Sequence, residues 1–236
     1  MLAAPGVTGC RGPSTKEGQP ARTVVIRRHP PIVQGRTEVG PFVRAGCKDK
    51  DTYLDCADVA AIRGLGCDLL RLEPHLAALG RRIPLAACLE ESTHAHPWRL
   101  PGPGVREVGC MERTRHHYVI ARDGKFVLLS TPEAFRAAYA PIRTPAEAAG
   151  VVLASKDVSA VYEPSKEYEA RVDQIDDAHA EAISGGFRVH LFETRSCTCA
   201  AHPRYEVDYL VSPSAVVSVG EKKLIDEIPA GRVCID

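Results

Sequence analysis

Residues 177–192 alternate strictly on either side of two glycines. Ala178, Ala180 and Ala182 are interleaved with Asp177, His179 and Glu181, and Phe187, Val189 and Leu191 with Arg188 and His190. Successive side chains of a strand point to opposite faces, so the pattern predicts a β-hairpin with an apolar packed face and a polar wet face. With Gly185-Gly186 as a tight turn, Ser184 is expected opposite Phe187, Ala182 opposite Val189, Glu181 opposite His190 and His179 opposite Phe192. Residues 205–211 repeat the pattern, with Tyr205, Val207, Tyr209 and Val211 against Glu206, Asp208 and Leu210, and predict a third strand. Pro213 stops it, and residues 215–219 are expected to return as a fourth, edge strand before the charged Glu221-Lys222-Lys223.

Upstream, residues 117–121 and 125–129 flank Asp123-Gly124, a strong hairpin signal. Two helix starts of one kind follow. Thr131-Pro132-Glu133 and Thr144-Pro145-Ala146-Glu147 each place threonine at the cap and proline at the first helical position, and the second adds Glu147 for a capping box. Helices are expected over 132–139, with Phe135 and Tyr139 on one side, and over 145–155, with Ala149, Val152 and Leu153 inward. Short strands are expected at 23–26, 83–89, 158–162 and within 168–175, and short helices at 55–63 and 76–79. Residues 90–109 are rich in Pro and Gly and read as a loop carrying His94, His96 and Trp98. The chain therefore divides into a tether over 1–21, a cysteine-rich region over 22–109 and an α+β domain over 110–236. The fold class is α+β: an antiparallel meander of hairpins packed on two short helices, which resembles a cystatin-like or similar helix-on-curved-sheet architecture.

Composition narrows the function classes. The 236 residues are 44% hydrophobic and 25% charged, ordinary for a globular protein. Thirty basic residues balance thirty acidic ones, so no bulk field favours a nucleic-acid partner. No apolar run approaches the roughly 20 residues a spanning helix needs. Nine cysteines are many for a reducing cytosol, and Cys47, Cys56, Cys67, Cys88 and Cys110 are scattered rather than grouped in metal-binding pairs. A disulfide framework in an exported protein is expected, although the count is odd.

Val7-Thr8-Gly9-Cys10 resembles the lipobox of bacterial lipoproteins, an aliphatic residue and two small residues before a cysteine that becomes lipidated. The Gly-, Pro- and Ser-rich stretch after it is similar to the flexible tether of such proteins. The resemblance implies lipid attachment at Cys10 and a place in the bacterial cell envelope. It also leaves eight cysteines, a number that can pair completely.

The chain carries no Gly-x-Ser-x-Gly elbow, His-Glu-x-x-His, P-loop, dinucleotide fingerprint or EF-hand loop. Cys197, Cys199 and His202 form the densest cluster of soft ligands, which with His190 could hold zinc or copper. On the polar hairpin face, His179, Glu181 and His190 offer a second set for a divalent metal or for acid–base chemistry. Against it stands the plainer reading of Glu181, Arg188 and His190 as cross-strand charge partners. His94 and His96 form a loop pair with no evident third ligand. The leading expectation is a non-enzymatic, exported, disulfide-stapled binding or assembly module without a cofactor, its partner a protein of the cell envelope. The alternatives are a zinc or copper protein using Cys197, Cys199, His202 and His190, which would suit a cytoplasmic location, and an enzyme built on the polar sheet face.

Overall fold

The computed structural model describes residues 24–32, 35–67, 69–92, 100–110, 113–195, 197 and 199–233. The expected tether with Cys10, the pair His94 and His96, Trp98 and Cys234 lie outside the described residues.

In chain order the elements are β1 (Val25–Arg27), α1 (Gly40–Arg44), β2 (Lys48–Asp49), β3 (Tyr53–Asp55), α2 (Ala60–Arg63) and β4 (Leu69–Arg71). A 3-10 turn (Pro74–Leu76) runs into α3 (Ala77–Gly80), followed by β5 (Leu85–Ser92), β6 (Arg106–Gly109), β7 (Arg113–Arg122) and β8 (Lys125–Leu129). Then come α4 (Pro132–Tyr139), α5 (Pro145–Ser155), β9 (Glu169–Ala170), β10 (Gln174–Asp176), β11 (His179–Ile183), β12 (Gly186–Thr194), β13 (His202–Val211) and β14 (Val217–Ile228). The class is α+β with mainly antiparallel sheets, as the sequence pattern indicates.

The first sheet runs β2-β3-β4-β5-β7, with β6 and β8 sharing the far side of β7. Both of its faces are covered. Leu85, Ala87, Tyr118 and Ile120 join the larger core, while the alternating Ala86, Cys88 and Val119 join a smaller one with Phe42, Leu54, Ile62 and Leu70. The disulfides Cys47–Cys56 and Cys67–Cys88 lie within that smaller core. Strand pairing crosses the boundary expected at 109/110, because β7 bonds to both β5 and β6. The large core likewise draws on both sides of it, from Leu76 and Leu85 to Val189 and Val207.

Helix α5 forms the middle layer. Its Ala148, Ala149, Val151, Val152, Leu153 and Ala154 are all buried, so more than the expected inward stripe of Ala149, Val152 and Leu153 is covered. The reason is that α5 touches β11, β12 and β13 on one side and the Pro74–Gly80 helical turn on the other. Tyr118 donates its hydroxyl proton to the Ala154 carbonyl, and Arg106 closes the helix C-terminus by donating to Leu153 and Lys156 at 2.8 and 3.0 Å. At the other end Thr144 accepts from the Glu147 N–H. The reciprocal bond of the capping box is displaced by one residue, since Glu147 accepts from Arg143. Helix α4 keeps Phe135 and Tyr139 inward as expected.

The second sheet runs β11-β12-β13-β14-β9. Its hairpin turns at Ser184-Gly185, one step earlier than expected, so Ala182 pairs with Phe187, Ala180 with Val189, Glu181 with Arg188 and His179 with His190. The turn needs only one positive φ, at Gly185 (+82°), as a glycine at the second central position supplies. Gly186 belongs to the strand, where its missing side chain admits the backbone of Val211. Since the offset moves both strands together, the two faces keep their members. The fourth strand is longer than expected and continues through Glu221-Lys222-Lys223, because Lys222 and Lys223 find Glu193 and Glu206 across the sheet, both at 2.7 Å. A bulge opposite Asp208 takes up Gly220 and Glu221. Beside this sheet β1 and β10 form a parallel pair that carries His29 over the polar face.

Candidate functional site: a histidine-lined polar cleft

The polar face of β11–β14 is roofed at one side by the β1–β10 pair, leaving a cleft of about 360 Å³. Three imidazoles form a column within it. His29 stacks on His179 with ring centroids 3.9 Å apart, and His179 stacks on His190 at 5.0 Å. The direct pairing of His179 with His190 across β11 and β12 sets the lower contact, and Phe192 meets the His190 ring edge-on.

Hydrogen bonding fixes the tautomers of the neutral rings. His190 Nδ1 lies 2.7 Å from an Asp208 carboxylate oxygen, and His179 Nδ1 lies 2.7 Å from the Asp177 carbonyl. Both partners only accept, so Nδ1 carries the proton on each ring and Nε2 presents a lone pair. His29 has the opposite arrangement, donating from Nε2 to Asp176 at 3.0 Å. His190 is buried, its Nε2 has no hydrogen-bond partner, and the nearest carboxylate oxygen is Glu206 Oε2 at 3.8 Å.

Charge in the cleft is unbalanced. Asp176, Glu181, Glu206, Asp208 and Glu221 face three fixed cations, Arg27, Arg188 and Lys223, leaving two net negative charges with neutral histidines. Each cation is already engaged: Arg27 forks onto Asp176, Arg188 reaches Glu181 at 3.3 Å and Asp208 at 3.8 Å, and Lys223 donates to Glu206 at 2.7 Å. The Arg27 guanidinium holds the Asp176 carboxyl below the usual carboxylate range, with His29 acting the same way against the opposing effect of partial burial. Glu221, on the bulge, lines the cleft as an exposed carboxylate.

The expected set of His179, Glu181 and His190 thus falls on one surface, with Glu181 turned to Arg188 and exposed. The expected soft-ligand cluster does not assemble. Cys197 is joined to Cys110, and Cys199 is likewise disulfide-bonded, so neither sulfur is a thiolate. His202 is buried at the start of β13, opposite Ile228. His190 sits opposite Asp208, six residues further along that strand, or about 20 Å at strand rise. Sequence reading alone did not select His29, Asp176, Glu206 or Asp208. The signal for the last two was present in the Glu206/Asp208 alternation on the polar side of β13, while His29 and Asp176 meet only through the parallel pairing of β1 with β10.

Three disulfides, Cys47–Cys56, Cys67–Cys88 and Cys110–Cys197, belong to an oxidising environment. Among the described residues no helix is long and apolar enough to cross a membrane. The chain matches no protein-family model, no curated protein and no solved structure.

Proposed function

We propose that the protein is an exported, disulfide-stapled binding or assembly module of the bacterial cell envelope, anchored through lipid at Cys10 and using the histidine-lined cleft as its ligand site. The oxidised cysteine set carries the reading. Every described cysteine is disulfide-bonded, a pattern that persists in exported proteins and is rare in a reducing cytosol. The cleft supports the binding half of the proposal, because it gathers ionisable side chains from β1, β10, β11, β12, β13 and β14 on one rigid surface.

The test is intact mass with thiol counting on protein expressed from its native locus, including whatever coding sequence lies upstream. A chain beginning at Cys10 with a diacylglyceryl mass and no free thiols is the expected result. Absence of both lipid and free thiols would remove the anchor and leave a soluble exported module. Free thiols at Cys197 and Cys199 would overturn the proposal.

A further inference from the structure

We propose that His179 and His190 hold a divalent transition-metal cation, zinc or copper(II), in the cleft, with Glu206 as the carboxylate ligand. The proposal rests on reading the cleft as the protein's binding site, and it names the ligand.

The argument starts from the rings. A histidine that ligates a metal through one nitrogen ordinarily donates its other N–H to a carboxylate or a backbone carbonyl, which fixes the tautomer and makes the ligating nitrogen more basic. His190 does this with Asp208 at 2.7 Å, so its orienting bond is made without a metal, and the Asp177 carbonyl, 2.7 Å from His179 Nδ1, fixes the same tautomer on the second ring. Two adjacent imidazoles therefore present bare Nε2 lone pairs from directly opposed strand positions. The His190 side chain is only 9% exposed, and its Nε2 lacks the partner that a buried polar atom ordinarily has. Glu206 Oε2, 3.8 Å away, is the closest anionic oxygen, while its sister oxygen is occupied by Lys223. The net negative charge of the cleft suits a cation.

Imidazole nitrogen selects zinc or copper over calcium or magnesium, which prefer all-oxygen shells. Two histidines and one glutamate make an open set, with at least one position left for water or a partner group. Among the described residues no three such groups already converge on one point. The His179 and His190 rings are stacked 21° from parallel, so closing the set turns the half-buried His179 ring out of its stack with His29 and off the Asp177 carbonyl, while His190 stays held by Asp208 and Phe192.

The experiment uses the oxidised full chain, freed of metal by chelation and titrated with zinc chloride or copper(II) chloride. Metal content after gel filtration and long-range proton–nitrogen spectra of the imidazoles are the readouts. About one metal per chain is expected, with the Nε2 signals of His179 and His190 making the large shift of metal ligation and those of His29 only the small ring-current change of its lost stack on His179. His179→Asn should weaken binding at least tenfold, and Asp208→Asn, which leaves both ligands in place, about 10- to 100-fold. A thiol count and circular dichroism check that each variant is folded. Failure to retain metal, or equal affinity in wild type and His179→Asn, overturns the inference. Cadaverine serves as the contrasting probe: if it binds, is weakened by Glu206→Gln, and no metal is retained, the cleft remains a cation site for amines and only the metal is lost. If neither metal nor cadaverine moves any cleft resonance, the reading of the cleft as the binding site falls as well.

Discussion

Gly186 runs so close to Val211 that a Cβ on it would overlap the Val211 carbonyl oxygen and stand 3.2 Å from its carbon. Both atoms belong to sheet backbone and cannot swing aside. Gly185 differs, with open space around it but a φ of +82°. Gly186→Ala should therefore cost about 1–3 kcal/mol through forced separation of β12 from β13. Gly185→Ala should cost about 1–2 kcal/mol through backbone strain alone. Urea unfolding measures both, and a Gly186→Ala variant as stable as wild type would show that the strands part without penalty.

Arg204 and Asp226 form a buried forked pair, with one bond of 2.6 Å and the guanidinium 3.6 Å from the Tyr168 ring centroid. Tyr162 adds its hydroxyl to Asp226 at 2.7 Å. Arg204→Met strands a carboxylate whose residue is 2% exposed, and should destabilise the fold by about 3–5 kcal/mol. Adding Asp226→Leu to that variant should restore part of the loss, because the uncompensated charge disappears. Equal stability of the single and double variants would contradict this account.

His117 is fully buried, 3.7 Å from Glu90. Burial, the largest influence, holds its imidazole below the ordinary value; Glu90 opposes this, and Arg115 and His116 reinforce it. The unfolded chain takes up a proton near pH 6.5 that the folded chain resists. This contribution to stability is complete above that pH and is lost as the pH falls through it towards the folded value. The urea midpoint should drop between pH 7.5 and 5.5, and His117→Gln should flatten the drop. Glu73 acts in a lower window: burial alone would raise its carboxyl, but His116, His75 and Arg106 outweigh that and hold it down, so its contribution fades below pH 4.5. An unchanged slope in His117→Gln would assign the upper window to another group.

The three disulfides with both cysteines among the described residues close loops of very different span, with sequence separations of 9, 21 and 87. Chain-entropy reasoning gives losses of about 2.6, 3.3 and 4.6 kcal/mol when each pair is replaced by serine. Cys110–Cys197 should matter most, since it ties the β6–β7 connection to the strand end after β12. Differential unfolding of the three double variants checks the order, and a larger loss for Cys47–Cys56 than for Cys110–Cys197 would reverse it.

Local signals made much of the fold legible. The Asp123-Gly124 turn and the Thr-Pro starts of α4 and α5 are written in neighbouring residues, and their bounds follow from them. What was not legible depends on distant partners. The hairpin offset puts Gly186 where Val211 leaves no room for a side chain, and the extension of β14 through three charged residues brings Lys222 and Lys223 to Glu193 and Glu206. The cleft was half visible: strand alternation put His179, Glu181 and His190 together, but the true register brings the two imidazoles opposite each other. Only the β1–β10 pairing, between segments about 149 residues apart, adds His29 and Asp176.

Helix α5 has no side of its own facing water along most of its length, for the second sheet and the Pro74–Gly80 turn divide its surface between them. A gene cut near residue 109 would separate strands that hydrogen-bond to each other and leave a helix apolar all round with part of its cover gone. That position therefore runs through one sheet and one core instead of between two, and each fragment would face water with surface the other now covers.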